Sequence, residues 1–417
     1  MAPLVDRKQP DARSVIAPWY KQGGEAPDRS RGILILGYGE NRWGGREVLE
    51  TRPENIRKIL EGLVADLRSR DSVSGIGLFG SRSRGDAVAS SDVDLLVVER
   101  RDYDYEHVER AEIEGFFLDL DYIPEKWIHR MTPPEIDQKL HELQVLYERD
   151  GTLTKAKELM LKTYSTPERV EIRTTSHLVE ADTYLSRGIS ALNKEDFQSA
   201  KVNAAIALEA VMKVLMEVTR LPISNSRFTR TLESSTKKLG APKLYSDYVE
   251  VAGLSKLDRQ RTESMLESFL AMWKEALGFI EANSPAVRTL HVKVMNDLNY
   301  YGRESFLKGM VARSSSLIRD GLLVETAHYL SRTSICMLES YAWLLTKLDG
   351  TRFDYTTLFQ HLKDSRRSPP EVRQRAVEAL GIEKVSEREA EESLRKTKEI
   401  VLGIRQKMKE LIYSRFS

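Results

Sequence analysis

"FGSRSRGDAVASSDVDLLVV", residues 79–98, sets a Gly-Ser turn, two arginines and two alternating aspartates between apolar runs. It reads either as a solvated loop joining two strands or as a site for a phosphate and a metal ion. A strand that runs into Gly80-Ser81 brings the turn to the edge of a sheet. Backbone N–H groups there lack ladder partners, and the start of a short helix adds the positive end of its dipole. Glycine lets a phosphate approach closely, and Arg82 and Arg84 add charge suited to a triphosphate. In the next strand Asp92 and Asp94 project to one face while Val93 points to the other. Two carboxylates side by side repel unless a cation lies between them. Mg²⁺, which favours carboxylate oxygens together with substrate phosphates, is the natural occupant.

Working outward, apolar runs predict strands at 75–79, 93–98, 116–123 and 143–147, the last closed by the turn Arg149-Asp150-Gly151. In the third run Asp119 and Asp121 alternate again, so either brings a third carboxylate to the cluster. Three carboxylates suit two metal ions about 3.5 to 4 Å apart, which clamp the attacking and leaving oxygens of an in-line phosphoryl displacement. A helix is expected from Thr51 to about Asp71, with Ile56, Ile59, Leu60, Leu63, Val64 and Leu67 on one stripe. The Thr-x-x-Glu spacing of Thr132 to Glu135 reads as a capping box before a short helix. Upstream, GILIL (32–36) and REVLE (46–50) flank a glycine-rich turn and predict a hairpin, and residues 1–30 read as a loosely packed tail.

After Ser165 the character changes to long helical periodicity, opened by Thr166-Pro167-Glu168 and broken by Pro, Gly and Ser clusters. The expected fold is α+β, a head with a mixed sheet over 31–162 followed by an all-helical body over 165–417, which divides near 286 if it has two parts. The segments 200–218 and 324–348 read as two long core helices rather than as a duplication.

The stretch LFGSRSRGDAVASSDVDLLVV resembles the signature of the nucleotidyltransferase fold of the DNA polymerase β superfamily, and is similar to the minimal and kanamycin nucleotidyltransferase-like enzymes. That family shows Gly-Ser, a spacer, Asp-x-Asp, then an acid on a neighbouring strand. The resemblance is specific over 75–99 and extends to 51–160, where LDLDYIPEKWI and QVLYERDGTL look like the later strands. It implies that Gly80 and Ser81 hold a nucleoside triphosphate, ATP on family grounds, and that Asp92 and Asp94 ligate Mg²⁺. Asp119, preferred to Asp121, completes the set. The implied reaction moves a nucleoside monophosphate to an acceptor hydroxyl and releases pyrophosphate. The acceptor is a small molecule, as in aminoglycoside modification, or a macromolecule, as in antitoxin-like protein modification or RNA 3′-end addition; a non-catalytic nucleotide scaffold is the remaining alternative. The helical body is similar in pattern to HEPN-related partner domains, but it lacks their Arg-x4–6-His; Arg101 to His107 fits the spacing by chance.

Other features bound the function. The 64 basic and 63 acidic residues nearly cancel, which argues against a broadly electropositive nucleic-acid coat. No span approaches the roughly 20 apolar residues a membrane crossing needs. The opening MAPLVDRKQPDARS lacks the apolar run of a signal peptide, so a cytoplasmic address and no membrane partner are expected. Cys336, the single cysteine, reads as a small core residue. Glu209, Lys213 and Glu217, at i, i+4 spacing, read as a solvated helix face. His328, Arg332 and Glu339 read as a salt-bridged seam, and no catalytic base is assigned among them. Trp127, Trp273 and Trp343 are expected in core or interface, and Tyr300 and Tyr301 in packing rather than base stacking. A homodimer through the helical body stays open.

Overall fold

Helix α1 (Pro53–Arg68) begins on a proline and lays Ile59 and Leu67 on a sheet, as its apolar stripe requires. The computed structural model describes residues 53–129 and 132–416; the expected hairpin at 32–50 and the tail 1–30 lie outside them. After α1 come β1 (Val73–Phe79), the short α2 (Gly80–Arg84), β2 (Val93–Glu99), β3 (His107–Ile113), β4 (Phe116–Pro124), α3 (Lys126–His129), α4 (Asp137–Glu142) and β5 (Gln144–Glu148).

The sheet order is β3-β4-β2-β1-β5, with β2 and β4 parallel and the other pairs antiparallel. The sheet is therefore mixed, as expected. Its α1 face buries Val93, Leu95, Val97, Leu118 and Leu120. The opposite face buries Leu96, Val98 and Ile123 against α4 and α5 (Thr152–Thr163). Alternation then puts Asp94 on the same face as Leu96.

The strand β3 was not expected. Its sequence, HVERAEI, carries three charges in seven residues, so the apolar alternation that marks a half-buried strand is absent. It is an edge strand paired only with β4, where charge is tolerated. The expected capping box also differs. A 3-10 turn (Pro134–Ile136) leads into α4, its N-cap is Pro133 with no side-chain bond, and the Thr132 carbonyl accepts from Arg169 Nη2 at 2.7 Å.

The body begins with α6 (Pro167–Asn193), whose N-cap Thr166 accepts from the Arg169 amide, and α7 (Phe197–Thr219). There follow α8 (Phe228–Lys238), α9 (Lys243–Val251), α10 (Arg259–Ala282), α11 (Ser284–Val287), α12 (Val292–Tyr301), α13 (Glu304–Arg319), α14 (Leu323–Asp349), α15 (Leu358–Asp364), α16 (Pro370–Leu380) and α17 (Glu387–Phe416). Two apolar cores result. One joins α6 to α9 with α17; the other joins α10 to α16 around the fully buried Trp273. Both expected long core helices are present as α7 and α14. No helix among the described residues is long and apolar enough to cross a membrane.

Candidate active site

In the parallel pairing of β2 and β4, Asp94 stands opposite Asp119. Their side chains share one pleat, and Asp92 lies two residues ahead on the same face. The three carboxylates line a cleft of about 1020 Å³ whose other walls come from the helical body. Asp121 is one step further along, opposite Leu96, and its carboxylate is taken by Lys139 Nζ at 2.6 Å. Both acids of β4 therefore lie on one face; Asp119 lines the cleft, and Asp121, one pleat further along, is covered by Lys139 of α4.

Gly80 follows β1 with φ +73°, and a Cβ there would overlap Oδ2 of Asp94. Glycine is required twice over, by the left-handed backbone and by the carboxylate against it. The turn is not open in the way its sequence suggests. The Gly80 backbone N–H bonds the Glu142 carboxyl, which also accepts from Arg84 Nη1 at 2.6 Å and Gln138 Nε2 at 2.9 Å. Ser81 lines the cleft. Arg82 points the other way: its Nε donates to the Asp92 carbonyl at 3.2 Å and its Nη2 to the Ser91 carbonyl at 2.9 Å. It straps the Ser91-Asp92 loop to α2. Arg84 does face the cleft, paired with Glu142 and, at 3.4 Å, with Asp86.

Two arginines that no local sequence signal announces meet the carboxylates. Arg110 of β3, only 3% exposed, donates through Nη1 to both oxygens of Asp119 at 2.9 and 2.8 Å. Its Nη2 lies 3.3 Å from Asp92 Oδ1. Arg313 of α13 reaches Asp92 Oδ2 at 3.2 Å. Tyr300 of α12 donates its hydroxyl to Asp119 Oδ2 at 3.2 Å, so its role here is to hold a carboxylate. Asp94 has no side-chain hydrogen bond or ion pair among the described residues. Burial, then the charges of Asp119 and Asp92, push its carboxyl up to about 7. Burial pushes Asp119 up to about 6, against the opposing pull of Arg110. Asp94 is thus the carboxylate in want of a cation.

Among the described residues no group of three or more acidic, His or Cys side chains is arranged to hold a metal ion. Arg110 stands between Asp92 and Asp119, and Asp94 faces the cleft beside them.

On the body side of the cleft, Glu209, Lys213 and Glu217 are not a solvated face. Glu209 is 5% exposed, with Arg332 Nε at 3.4 Å and Lys213 Nζ at 3.7 Å. Glu217 pairs with Arg173 Nε at 2.8 Å. The polar line faces the cleft, and the spacing that suggests solvent applies equally to a wall between helices. The seam of α14 is salt-bridged as expected, through Arg332 to Glu209 and Glu339 to Arg187. Cys336 is half-buried on the cleft wall rather than in the core. His107 opens a strand, so Arg101 and His107 share no helix.

Comparison with known proteins places these elements in context. No curated protein matches the chain. Among solved structures, a nucleotidyltransferase-like protein from Exiguobacterium sibiricum 255-15 aligns over 70% of this chain and 80% of its own, at 12% identity and a TM-score of 0.31. A likeness that low adds nothing to the assignment. A family model described as a nucleotidyltransferase domain matches residues 60–150. That span runs from within α1 through β5 and contains the Gly-Ser turn and every carboxylate of the cluster, so the chain carries a nucleotidyltransferase domain over residues 60–150.

Proposed function

We propose that the protein transfers a nucleoside monophosphate from a nucleoside triphosphate to a hydroxyl of a small polar acceptor. The observation that carries this reading is the face shared by Asp92, Asp94 and Asp119, with Gly80 pressed against Asp94, on the wall of a cleft closed by the body. The triphosphate would lie at Gly80 and Ser81, with Arg84 meeting its charge once Glu142 gives way. ATP is the donor the resemblance implies. Mg²⁺, held at Asp94, would supply positive charge against the α-phosphate. The acceptor oxygen forms its bond to the α-phosphorus as the bond to the bridging oxygen breaks. Pyrophosphate leaves with that electron pair, and the hydroxyl proton passes to Asp119, whose raised pKa suits it to receive one.

The size and lining of the cleft support a small acceptor. About 1020 Å³ is at the top of the range for small-ligand sites and accommodates a nucleotide beside a second small molecule. Side chains of both signs, Glu209 and Lys213 among them, suit a polar acceptor with several hydrogen-bonding groups.

The test is incubation with Mg²⁺ and each α-³²P nucleoside triphosphate, with small-molecule, protein or RNA fractions of a cell extract. Label in the small-molecule fraction, absent with Asp94→Asn, is the expected result. Label in protein or RNA overturns the acceptor class, and no label in any fraction overturns transfer.

A further inference from the structure

Arg110 is built into the carboxylate cluster more firmly than a surface ion pair. Its guanidinium lies 5.2 Å from the ring of Phe117 and 5.5 Å from that of Phe306. A Cβ at residue 309 would overlap its Nη2, so α13 carries glycine where it passes. Its Nε donates to the Ser305 carbonyl at 3.4 Å, while its own carbonyl accepts from Arg303 Nη1 at 2.5 Å. Head and body together fix the position, and the position is the point between Asp92 and Asp119.

Resting on the nucleotidyl-transfer reading above, we propose that Arg110 is a built-in cation standing where a second divalent ion would bridge Asp92 and Asp119, so that the site takes one divalent ion with its nucleotide, not two. The geometry excludes co-occupancy. Mg²⁺ demands oxygen ligands at about 2.0–2.1 Å in an octahedron, and the inner oxygens of Asp92 and Asp119 already face guanidinium N–H groups. Charge balance gives the same answer. The guanidinium charges of Arg110 and Arg313 together equal one divalent ion, so this cluster with one ion carries the net charge that three bare carboxylates carry with two. The remaining ion belongs at Asp94, the carboxylate without a partner among the described residues.

The experiment counts ions. The full chain is titrated with Mn²⁺ in the presence of α,β-methylene-ATP, whose α–β bridge resists transfer, and free Mn²⁺ is read by electron paramagnetic resonance while nucleotide binding is followed separately by calorimetry. One Mn²⁺ per chain is expected for the wild type, and two for Arg110→Gln, which frees the bridging position without a charge. Two ions beside a bound analogue in the wild type overturn this proposal alone. So does an Arg110→Gln protein that binds the analogue with one ion only. Should that variant fail to fold, the wild-type count still decides. An analogue that does not bind at all overturns the nucleotidyl-transfer reading, and this proposal with it.

Discussion

Gly80 and Asp94 are in direct contact, the bare Cα of one filling the space beside the carboxylate of the other. This contact joins the turn proposed to hold the triphosphate to the carboxylate proposed to hold the cation, and a methyl group breaks it. Gly80→Ala places a Cβ on the carboxylate and an L side chain in the left-handed region, the latter alone costing roughly 1–2 kcal/mol. The protein is expected to fold with a lower melting temperature and to bind nucleotide at least tenfold more weakly. Calorimetry on the two proteins checks both.

The carboxyl of Asp94 gives stability a pH dependence of defined sign. Its folded pKa, about 7, lies above its ordinary 3.8, so between those values the folded state holds a proton that the unfolded chain releases. Stability therefore falls as pH rises from about 4 to about 7, and the full penalty is present above 7. Asp94→Asn removes it. The variant is expected to be more stable than wild type at pH 8, by on the order of 2 kcal/mol once cleft solvent is allowed for, and equal to it near pH 4. Urea melts across pH read this directly.

Glu142 holds the Gly80 amide and Arg84, the groups assigned to the triphosphate. A carboxylate at that point repels the incoming anion. Glu142→Gln keeps the size and one acceptor oxygen but removes the charge and the second acceptor, and is expected to tighten nucleotide binding about fivefold, close to 1 kcal/mol. Weaker binding in a titration would mean that the carboxylate aids the site instead.

Asp137 of α4 is fully buried and ties the head to the body, accepting from Arg169 Nε at 2.7 Å and Arg173 Nη1 at 3.2 Å. Arg173 in turn bonds Glu217. Asp137→Ala strands the two arginines and is expected to cost about 3–5 kcal/mol, the range for breaking a buried pair on one side. Denaturant unfolding of the variant measures it.

The elements that announced themselves did so through alternation or caps. β1, β2, β4 and β5 carry apolar runs, and α6 opens on Thr-Pro-Glu. The alternating aspartates were legible because a strand sends every second residue to one face. β3 was not, since its charged residues reflect an edge position that depends on pairing with β4. Arg110 becomes visible only after that pairing puts it opposite Asp119, and Arg313 arrives from a helix with no local relation to the sheet. The cleft-facing line of Glu209, Lys213 and Glu217 was misread because i, i+4 charge spacing marks a polar face without saying whether water or another helix lies in front of it.

The last helix has a kinetic consequence. α17 returns across the whole second core to seat Leu394, Val401, Ile404, Met408 and Ile412 beside α6 and α7. The second core closes chiefly between α10 and α16, whereas the first must wait for a partner still more distant in sequence, and distant closures are slow. The groove between α6 and α7 therefore stays open during folding until α17 docks. In the native protein, amides of α6, α7 and α17 should exchange with solvent as one cooperative unit.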